Sequence, residues 1–298
     1  MPFAQRPRFS WRLRSRSLPL GERTLLMAIL NVTPDSFSDG GCFFAPERAV
    51  EHALTLLEQG ADLLDLGGES TRPNASPVSP AEEQDRILPV LAAILREQPQ
   101  AVVSVDTYHA ATAAAAIAAG AEIVNDVSGL LWDAEMAATV AASGCGLVLM
   151  HTRGGPRDWL RQAPLPAGPV LPAILDGLAE RLHAAQAAGI ARQSIVLDPG
   201  FGFGKRGDEN LRLHAELDGL QALGYPMLAG TSRKSFLRQL LTRRPPHMQE
   251  PAPEARAAAD AASEVAAILA GAHLLRVHDV VTAVAAAAVA DAILAGRE

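Results

Sequence analysis

Eight short apolar runs, each ending in polar, chemically capable residues, constrain this chain more than any other feature. In order they are LLMAILN (Leu25 to Asn31), DLLDLGGEST (Asp62 to Thr71), VVSVDT (Val102 to Thr107), EIVND (Glu122 to Asp126), LVLMH (Leu147 to His151), IVLDPG (Ile195 to Gly200), MLAGTSRKS (Met227 to Ser235) and LLRVHD (Leu274 to Asp279). Runs of this kind read as buried strands, and the segments between them are long enough for helices. Strand and helix in alternation predict an α/β protein, a single (β/α)8 TIM barrel of parallel strands. Side chains at the C-terminal strand ends of such a barrel converge on one mouth, so the chemistry is expected there.

A length of 298 residues, 49% hydrophobic content and a mean hydropathy of +0.12 suit one large core. The expected division is an N-terminal arm or hairpin over residues 1–24 and a barrel domain over 25–298. The alanine-rich stretches Ala110 to Ala119 and Ala257 to Ala272 are interrupted by Asp260, Glu264 or Gly, and predict outer-ring helices, not membrane spans. Cys42 and Cys145 show no disulfide or zinc spacing, which fits a reducing cytoplasm. A formal charge of −7 argues against a nucleic-acid partner. Arg6, Arg8, Arg12, Arg14 and Arg16 precede the first acidic residue, Glu22, but the stretch lacks the apolar stripe of a targeting peptide. Trp11, Leu13 and a Pro19-Leu20-Gly21 turn predict instead a hairpin that plugs the barrel bottom.

Two strand-end segments, NVTPDSFSDGG (Asn31 to Gly41) and GGESTRPNASPVSP (Gly67 to Pro80), are rich in small polar residues and are expected to be mobile loops, the first ahead of a helix from about Pro46. Thr242 to Pro253 contains prolines that exclude a regular element and is expected to be a surface excursion.

Asp106, Asn125 and Asp198 close three of the runs and should face one cavity. Two carboxylates and an amide suit a flat heterocycle with ring N–H and exocyclic amino groups, since a carboxylate accepts two donors side by side. Capping of the following helix is the competing role. Pro199-Gly200 argue for a rigid turn after Asp198, whereas for Asp106, followed by Thr107, the two roles balance. A second group is cationic: Arg72, Lys234, Arg276 and His278, with Asn31 and Thr71 alongside. On an acidic chain this concentration predicts a local pyrophosphate-type anion site, with surface salt bridges as the alternative. Asn31 is a neutral oxygen ligand that, with phosphate oxygens and water, suits Mg²⁺. His52, His183, His214 and His247 fall on predicted helices or the proline-rich loop, where solvation is ordinary, and His151 is read as orienting its neighbours. GFGFGK (Gly200 to Lys205) lacks Walker spacing; its glycines allow a tight loop with Phe203 as an aromatic wall.

LNVTPDSFSDGG, DLGGESTRP, SVDT, IVND, LMH, LDPGFGFGK, the SRKS stretch and RVHD all stand in the order of the dihydropteroate synthase family, and the chain resembles those pterin-binding TIM barrels over residues 25 to 290. The resemblance implies a transferase of folate biosynthesis that condenses 6-hydroxymethyl-7,8-dihydropterin pyrophosphate with p-aminobenzoate, giving 7,8-dihydropteroate and pyrophosphate. It implies that Asp106, Asn125, Asp198 and Lys234 bind the pterin ring, with Met150 and Phe203 packing on it. Arg276 would stack on the ring and, with Asn31, Thr71, Arg72 and His278, hold the pyrophosphate and its Mg²⁺. Ser235, opening the helix after Lys234, would receive the p-aminobenzoate carboxylate. Asp35, facing the cation left by pyrophosphate, would join Lys234 and Arg276 as a catalytic residue. A cytoplasmic homodimer acting on small molecules, without membrane or nucleic acid, completes the expectation. The chain departs from the family's pattern at Thr152-Arg153-Gly154 and at Ala259-Asp260. A pterin-binding methyltransferase and a non-catalytic paralogue are the alternatives, but the first has no use for the anion group and the second would have lost strand-end residues.

Overall fold

Along each of the eight runs, side chains alternate between two environments, as they must on a pleated strand. The computed structural model describes residues 6–33, 46–69, 77–159, 161–166, 168–243 and 250–296. Among these, β1 (Phe9–Arg12) and β2 (Ser17–Leu20) form an antiparallel hairpin. The parallel strands are β3 (Leu25–Asn31), β4 (Leu63–Gly67), β5 (Val103–Asp106), β6 (Ile123–Asp126), β7 (Gly146–Met150), β8 (Ile195–Asp198), β9 (Leu228–Ala229) and β10 (Leu274–Val277). They pair in the order β8-β7-β6-β5-β4-β3-β10-β9. A parallel bridge between Leu197 and Met227, with the Leu197 N–H donating to Pro226 O at 2.9 Å, joins the two ends. The sheet is thus the expected TIM barrel.

Outside it lie α1 (Pro46–Glu58), α2 (Pro80–Glu97), α3 (Ala110–Ala118), α4 (Met136–Ser143), α5 (Leu171–Ala187), α6 (Gly207–Ala215), α7 (Ser235–Thr242), α8 (Pro253–Leu269) and α9 (Val280–Ala295). Both alanine-rich stretches are helical, and among the described residues no helix is long and apolar enough to cross a membrane. Small alanines such as Ala113, Ala116, Ala267 and Ala287 let these helices sit close against the sheet, where all four are buried.

Alternation divides the core in two. Leu26, Ala28, Leu30, Leu64, Leu66, Val105, Val124, Leu149 and Leu197 point outward into the sheet–helix layer. Leu25, Met27, Leu63, Val102, Ile123, Val148, Val196, Leu228 and Leu274 point into the lower barrel and form a separate cluster with Trp11, Leu13 and Leu20 of the hairpin. Trp11 is fully buried, and its Nε1 donates to Ser194 O at 2.8 Å. The hairpin therefore closes the barrel bottom, as the sequence predicts. One detail differs: Pro19 and Leu20 belong to β2, and the chain reverses at Leu13–Arg16, where the Leu13 N–H donates to Arg16 O at 2.8 Å. Proline fits there because β2 pairs on one side alone and needs no further ladder donor.

The basic N-terminal segment is tied down by specific partners. Arg6 donates to Thr24 Oγ1 at 2.7 Å and Ala272 O at 3.0 Å and pairs with Asp291 at 2.5 Å. Arg14 donates to Ala121 O at 3.2 Å, and the Ser15 N–H to Glu122 Oε2 at 2.9 Å.

Candidate active site at the strand ends

The inward parity that fills the barrel bottom with aliphatic side chains continues upward into polar ones. Asn31 follows Met27 by two strand repeats, Asp65 follows Leu63, Asp106 follows Ser104, Asn125 follows Ile123, Met150 follows Val148, Asp198 follows Val196, and Arg276 follows Leu274. Strand register then aligns Asn31 with Gly67, Gly67 with Asp106, and Asp106 with Asn125. These side chains meet because of pleat and register, although they are far apart in sequence.

Arg276 is the hub. Its Nε donates to Asp65 Oδ2 and its Nη2 to Asp106 Oδ2, both at 2.6 Å, and Asn125 Nδ2 adds a third contact to Asp65 Oδ2 at 2.9 Å. Burial works against the guanidinium charge, but the Asp65 and Asp106 carboxylates outweigh it and raise its affinity for the proton. Asp106 is pushed up to about 7 by burial, with Arg276 opposing and Asp65, Glu83 and Asp126 adding to the shift. The sequence reading has Arg276 stack on the ring and hold the anion and has Asp106 accept from the ring; the structure adds a direct pair between the two. Each partner of this half-buried pair offsets part of the cost of taking the other's charge out of water. Asp106 is also not a helix cap: α3 begins at Ala110 with His109 at its cap position and no side-chain cap bond.

Asp198 behaves as the Pro-Gly sequence suggests. Its Oδ1 accepts the Gly200 N–H at 2.7 Å, closing a tight turn in which Gly200 has φ +69°. A Cβ at Gly200 would stand 2.1 Å from His151 O, so only glycine fits. Burial raises the Asp198 pKa, opposed by the Gly200 N–H, Lys234 and Lys205. Its second oxygen, Oδ2, lies 4.0 Å from the position a Cβ would take on Gly230, which in turn is 3.7 Å from Arg276 Cβ.

Lys234 precedes α7, and its Nζ sits 4.1 Å from the Phe203 ring centroid. Burial and then Arg276 lower its pKa to about 8, with Asp198 and Asp106 opposing. Phe203 also packs edge-to-face with Trp159, centroids 4.8 Å apart. Ser235 opens α7 as expected. His278 Nδ1 lies 3.2 Å from Ser232 Oγ. Met150 is buried beside the Gly200 turn. Thus Asn31, Asp106, Asn125, Met150, Asp198, Phe203, Lys234, Ser235, Arg276 and His278 all stand at the C-terminal strand ends or directly after them. Asp35, Thr71 and Arg72 lie outside the described residues, as do Cys42, His247, most of the first strand-end loop and half of the second.

Two residues were passed over by the sequence reading. Asp65 is fully buried, and its Oδ1 has no hydrogen-bond partner among the described residues. Its parity within LLDLG, matching that of Arg276 in LLRV, was the available signal. Lys205, ending GFGFGK, is buried and donates from Nζ to Gly200 O at 2.7 Å, His151 O at 3.3 Å and Phe203 O at 3.4 Å. It knits the loop that carries Phe203, and burial lowers its pKa to about 7. His214 corrects an expectation of solvation: its Nε2 lies 3.1 Å from Ser263 O, between α6 and α8, and burial lowers its pKa.

For a divalent cation, a Cβ on Gly67 would stand 3.6 Å from Asn31 Oδ1 and 3.7 Å from Asp106 Oδ2, so both oxygens border one small space. Among the described residues no cluster of three His, Cys, Asp or Glu side chains is placed to hold a metal. This donor set fits Mg²⁺ only as an ion that brings most of its oxygen ligands from substrate and water.

A (β/α)8 barrel whose mouth combines buried carboxylates, a carboxamide and confined cations has the architecture of an enzyme that binds a flat, amino-bearing heterocycle. The chain belongs to the pterin binding enzyme family, whose model matches residues 27–278. A dihydropteroate synthase from Bacillus subtilis (strain 168) is 40% identical over 93% of this chain and 91% of its own length. Among solved structures, the Xanthomonas albilineans dihydropteroate synthase with 4-aminobenzoic acid is 43% identical, with TM-score 0.85, covering 96% of this chain and 99% of that one. The same organism's synthase in complex with 7,8-dihydropteroate is 40% identical, with TM-score 0.82, covering 97% and 99%.

Proposed function

We infer that this chain condenses 6-hydroxymethyl-7,8-dihydropterin pyrophosphate with p-aminobenzoate to give 7,8-dihydropteroate and pyrophosphate in folate biosynthesis. The observation that carries the reading is the Arg276–Asp65–Asp106–Asn125 network, set beside Asp198 and Lys234 at the mouth of a pterin-family barrel. Asp198 Oδ2 and Asn125 read the amino-bearing edge of the pterin, and Lys234 donates to the ring while Phe203 and Met150 wall it. Asp106, held by Arg276, completes the acceptor set.

The reaction breaks the bond between the pterin methylene carbon and the pyrophosphate oxygen. The electron pair leaves with pyrophosphate, the arylamine nitrogen attacks the cationic methylene, and that nitrogen releases a proton. No protein nucleophile is required. The task of the protein is to stabilise separating charges and to exclude water. His278, Thr71 and Arg72 hold the leaving pyrophosphate, Asp35 faces the methylene cation, and the N-terminus of α7 at Ser235 takes the p-aminobenzoate carboxylate. Asn31 is placed to hold Mg²⁺, which, when bound, neutralises charge on the leaving group.

The reading extends to residues 25–298 as the pterin-binding domain with 1–24 as its arm, to a reducing cytoplasm suited to the buried free thiol of Cys145, and to a homodimer. For the dimer, α9 exposes Val281, Val284, Val289 and Ile293 on its solvent-facing half, an apolar surface of the kind that subunit contacts cover. The test of the activity is release of pyrophosphate on mixing enzyme with both substrates and Mg²⁺. Release with either substrate omitted, or none with both, would refute the condensation.

A further inference from the structure

We propose that Asp260 is a positioning residue for this reaction: from α8 it holds the turn Thr231–Lys234 and, through the Ser232 hydroxyl, sets the orientation of His278. The proposal rests on the condensation reading and adds to it a residue that stands behind the mouth and touches neither substrate.

Asp260 is buried, and each of its oxygens has a partner on the turn. Oδ1 accepts the Arg233 N–H at 3.0 Å, and Oδ2 accepts the Ser232 hydroxyl at 3.4 Å. The first bond is the stronger by geometry. It falls on a residue that needs holding, because Arg233 has φ +56° and is one of two non-glycine residues, with Leu130, at positive φ among those described. A left-handed conformation in a residue with a Cβ persists only where its surroundings impose it. Here the imposing groups are Asp260 and the bond from the Lys234 N–H to Thr231 O at 3.2 Å.

The turn has two outputs. On one side Lys234 reaches the Phe203 ring and Ser235 opens α7. On the other, Ser232 Oγ accepts the His278 backbone N–H at 3.3 Å and lies 3.2 Å from His278 Nδ1. A hydroxyl has one proton, and with that proton directed to Asp260 its oxygen presents lone pairs. Nδ1 therefore carries the hydrogen that faces Ser232, which fixes the tautomer and orientation of the ring. One carboxylate thus governs both the lysine assigned to the pterin and the histidine assigned to the pyrophosphate.

A purely structural role accounts poorly for the surroundings. Glu264, one helical turn further along α8, is buried as well, and its Oε2 has no hydrogen-bond partner among the described residues. Burial, then Asp260, then Asp279, push the Glu264 pKa up to about 7. Two carboxylates four residues apart on one buried helix face work against the fold. Their placement beside a strained turn is the pattern of stability yielded to function.

The experiment is steady-state pyrophosphate release by the full-length enzyme, varying each substrate in turn, alongside thermal unfolding of wild type, Asp260→Ala and Asp260→Asn. Alanine removes both bonds. Its KM should rise about tenfold for both substrates and its kcat should fall, while the unfolding midpoint stays level or rises because Glu264 loses a like-charged neighbour. Asparagine keeps an oxygen for the Arg233 N–H but offers Ser232 an N–H in place of an acceptor. It should raise KM for the pterin pyrophosphate about fivefold and leave that for p-aminobenzoate within about twofold. Constants within twofold of wild type in both folded variants would overturn the proposal and leave the condensation standing. So would a loss of activity that merely follows the folded fraction. If the alanine protein fails to fold, the split between the two KM values in the asparagine protein decides. Wild type that releases no pyrophosphate would remove the parent reading, and this one with it.

Discussion

Asp198→Asn should cost the enzyme its pterin and leave its fold intact. The carboxylate has one oxygen engaged, Oδ1 with the Gly200 N–H at 2.7 Å, and one available, Oδ2. An amide in the same place keeps its oxygen toward Gly200, because only that atom can accept the N–H that Asp198 Oδ1 now holds at 2.7 Å. Its NH2 group then replaces Oδ2, so a donor confronts the N–H groups of the pterin edge. The loss of a charge-assisted hydrogen bond is about 1.5–3 kcal/mol, and the unsatisfied ligand N–H adds about 1–3 kcal/mol. At about 1.4 kcal/mol per tenfold, the affinity should fall about a hundredfold or more. Stability should move the other way. Burial raises the Asp198 pKa, which means that the site disfavours the ionised form, and a neutral amide avoids that cost. Calorimetric titration with a dihydropterin, paired with thermal unfolding at pH 7, reads both quantities. A pterin affinity within threefold of wild type would refute the assignment, and a collapse in the unfolding midpoint would mean that Asp198 holds the turn more than the ligand.

Asp65→Ala strips Arg276 of its Nε partner, leaving a half-buried cation incompletely paired; breaking a fully buried pair costs about 3–5 kcal/mol and partial exposure lowers that figure, so denaturant unfolding should show a clear loss below that ceiling, and an unchanged midpoint would contradict the network. Lys234, lowered to about 8, should lose its proton as pH rises through 8, so KM for the pterin substrate should climb between pH 7 and 9; a limb that persists in Lys234→Met would assign it elsewhere. Asp106, raised from 3.8 to about 7, is protonated in the native state where the unfolded chain is ionised; its contribution to stability is fully present below pH 3.8 and is lost as pH rises through 7, and Asp106→Asn should flatten that part of the stability profile. Trp11→Ala should destabilise by about 3–5 kcal/mol while leaving KM values unchanged, since the plug lies at the opposite end of the barrel from the mouth; altered KM values would show that the two ends communicate.

The barrel was legible because its signal is local and repeated: each apolar run announces a strand by itself, and eight of them leave one economical architecture. The ends of the runs gave Asp106, Asn125, Asp198 and Arg276 for the same reason. What could not be read was the pairing among them. Arg276 and Asp65 are 211 residues apart, and the contact exists only because β10 and β4 both pair with β3 in particular registers. A sequence shows which residues share inward parity, but not which layer of the barrel each one reaches, and the difference between a pyrophosphate ligand and the partner of two carboxylates is a difference of layer. Lys205 and Asp260 were hidden for another reason. Each acts on a loop from behind, through backbone groups that every residue possesses, so no side-chain motif marks the partner. Yet their placement has a physical logic. The mouth concentrates charges whose burial weakens the native state, and the loops that carry them include a turn only glycine can make, at Gly200, and a strained non-glycine position, Arg233. The aliphatic lower lumen and its tryptophan plug supply the opposing apolar burial. The same strands thus run from a layer that stabilises the fold to a layer that strains it, and the order along each strand, apolar first and charged last, is how one short sequence run encodes both.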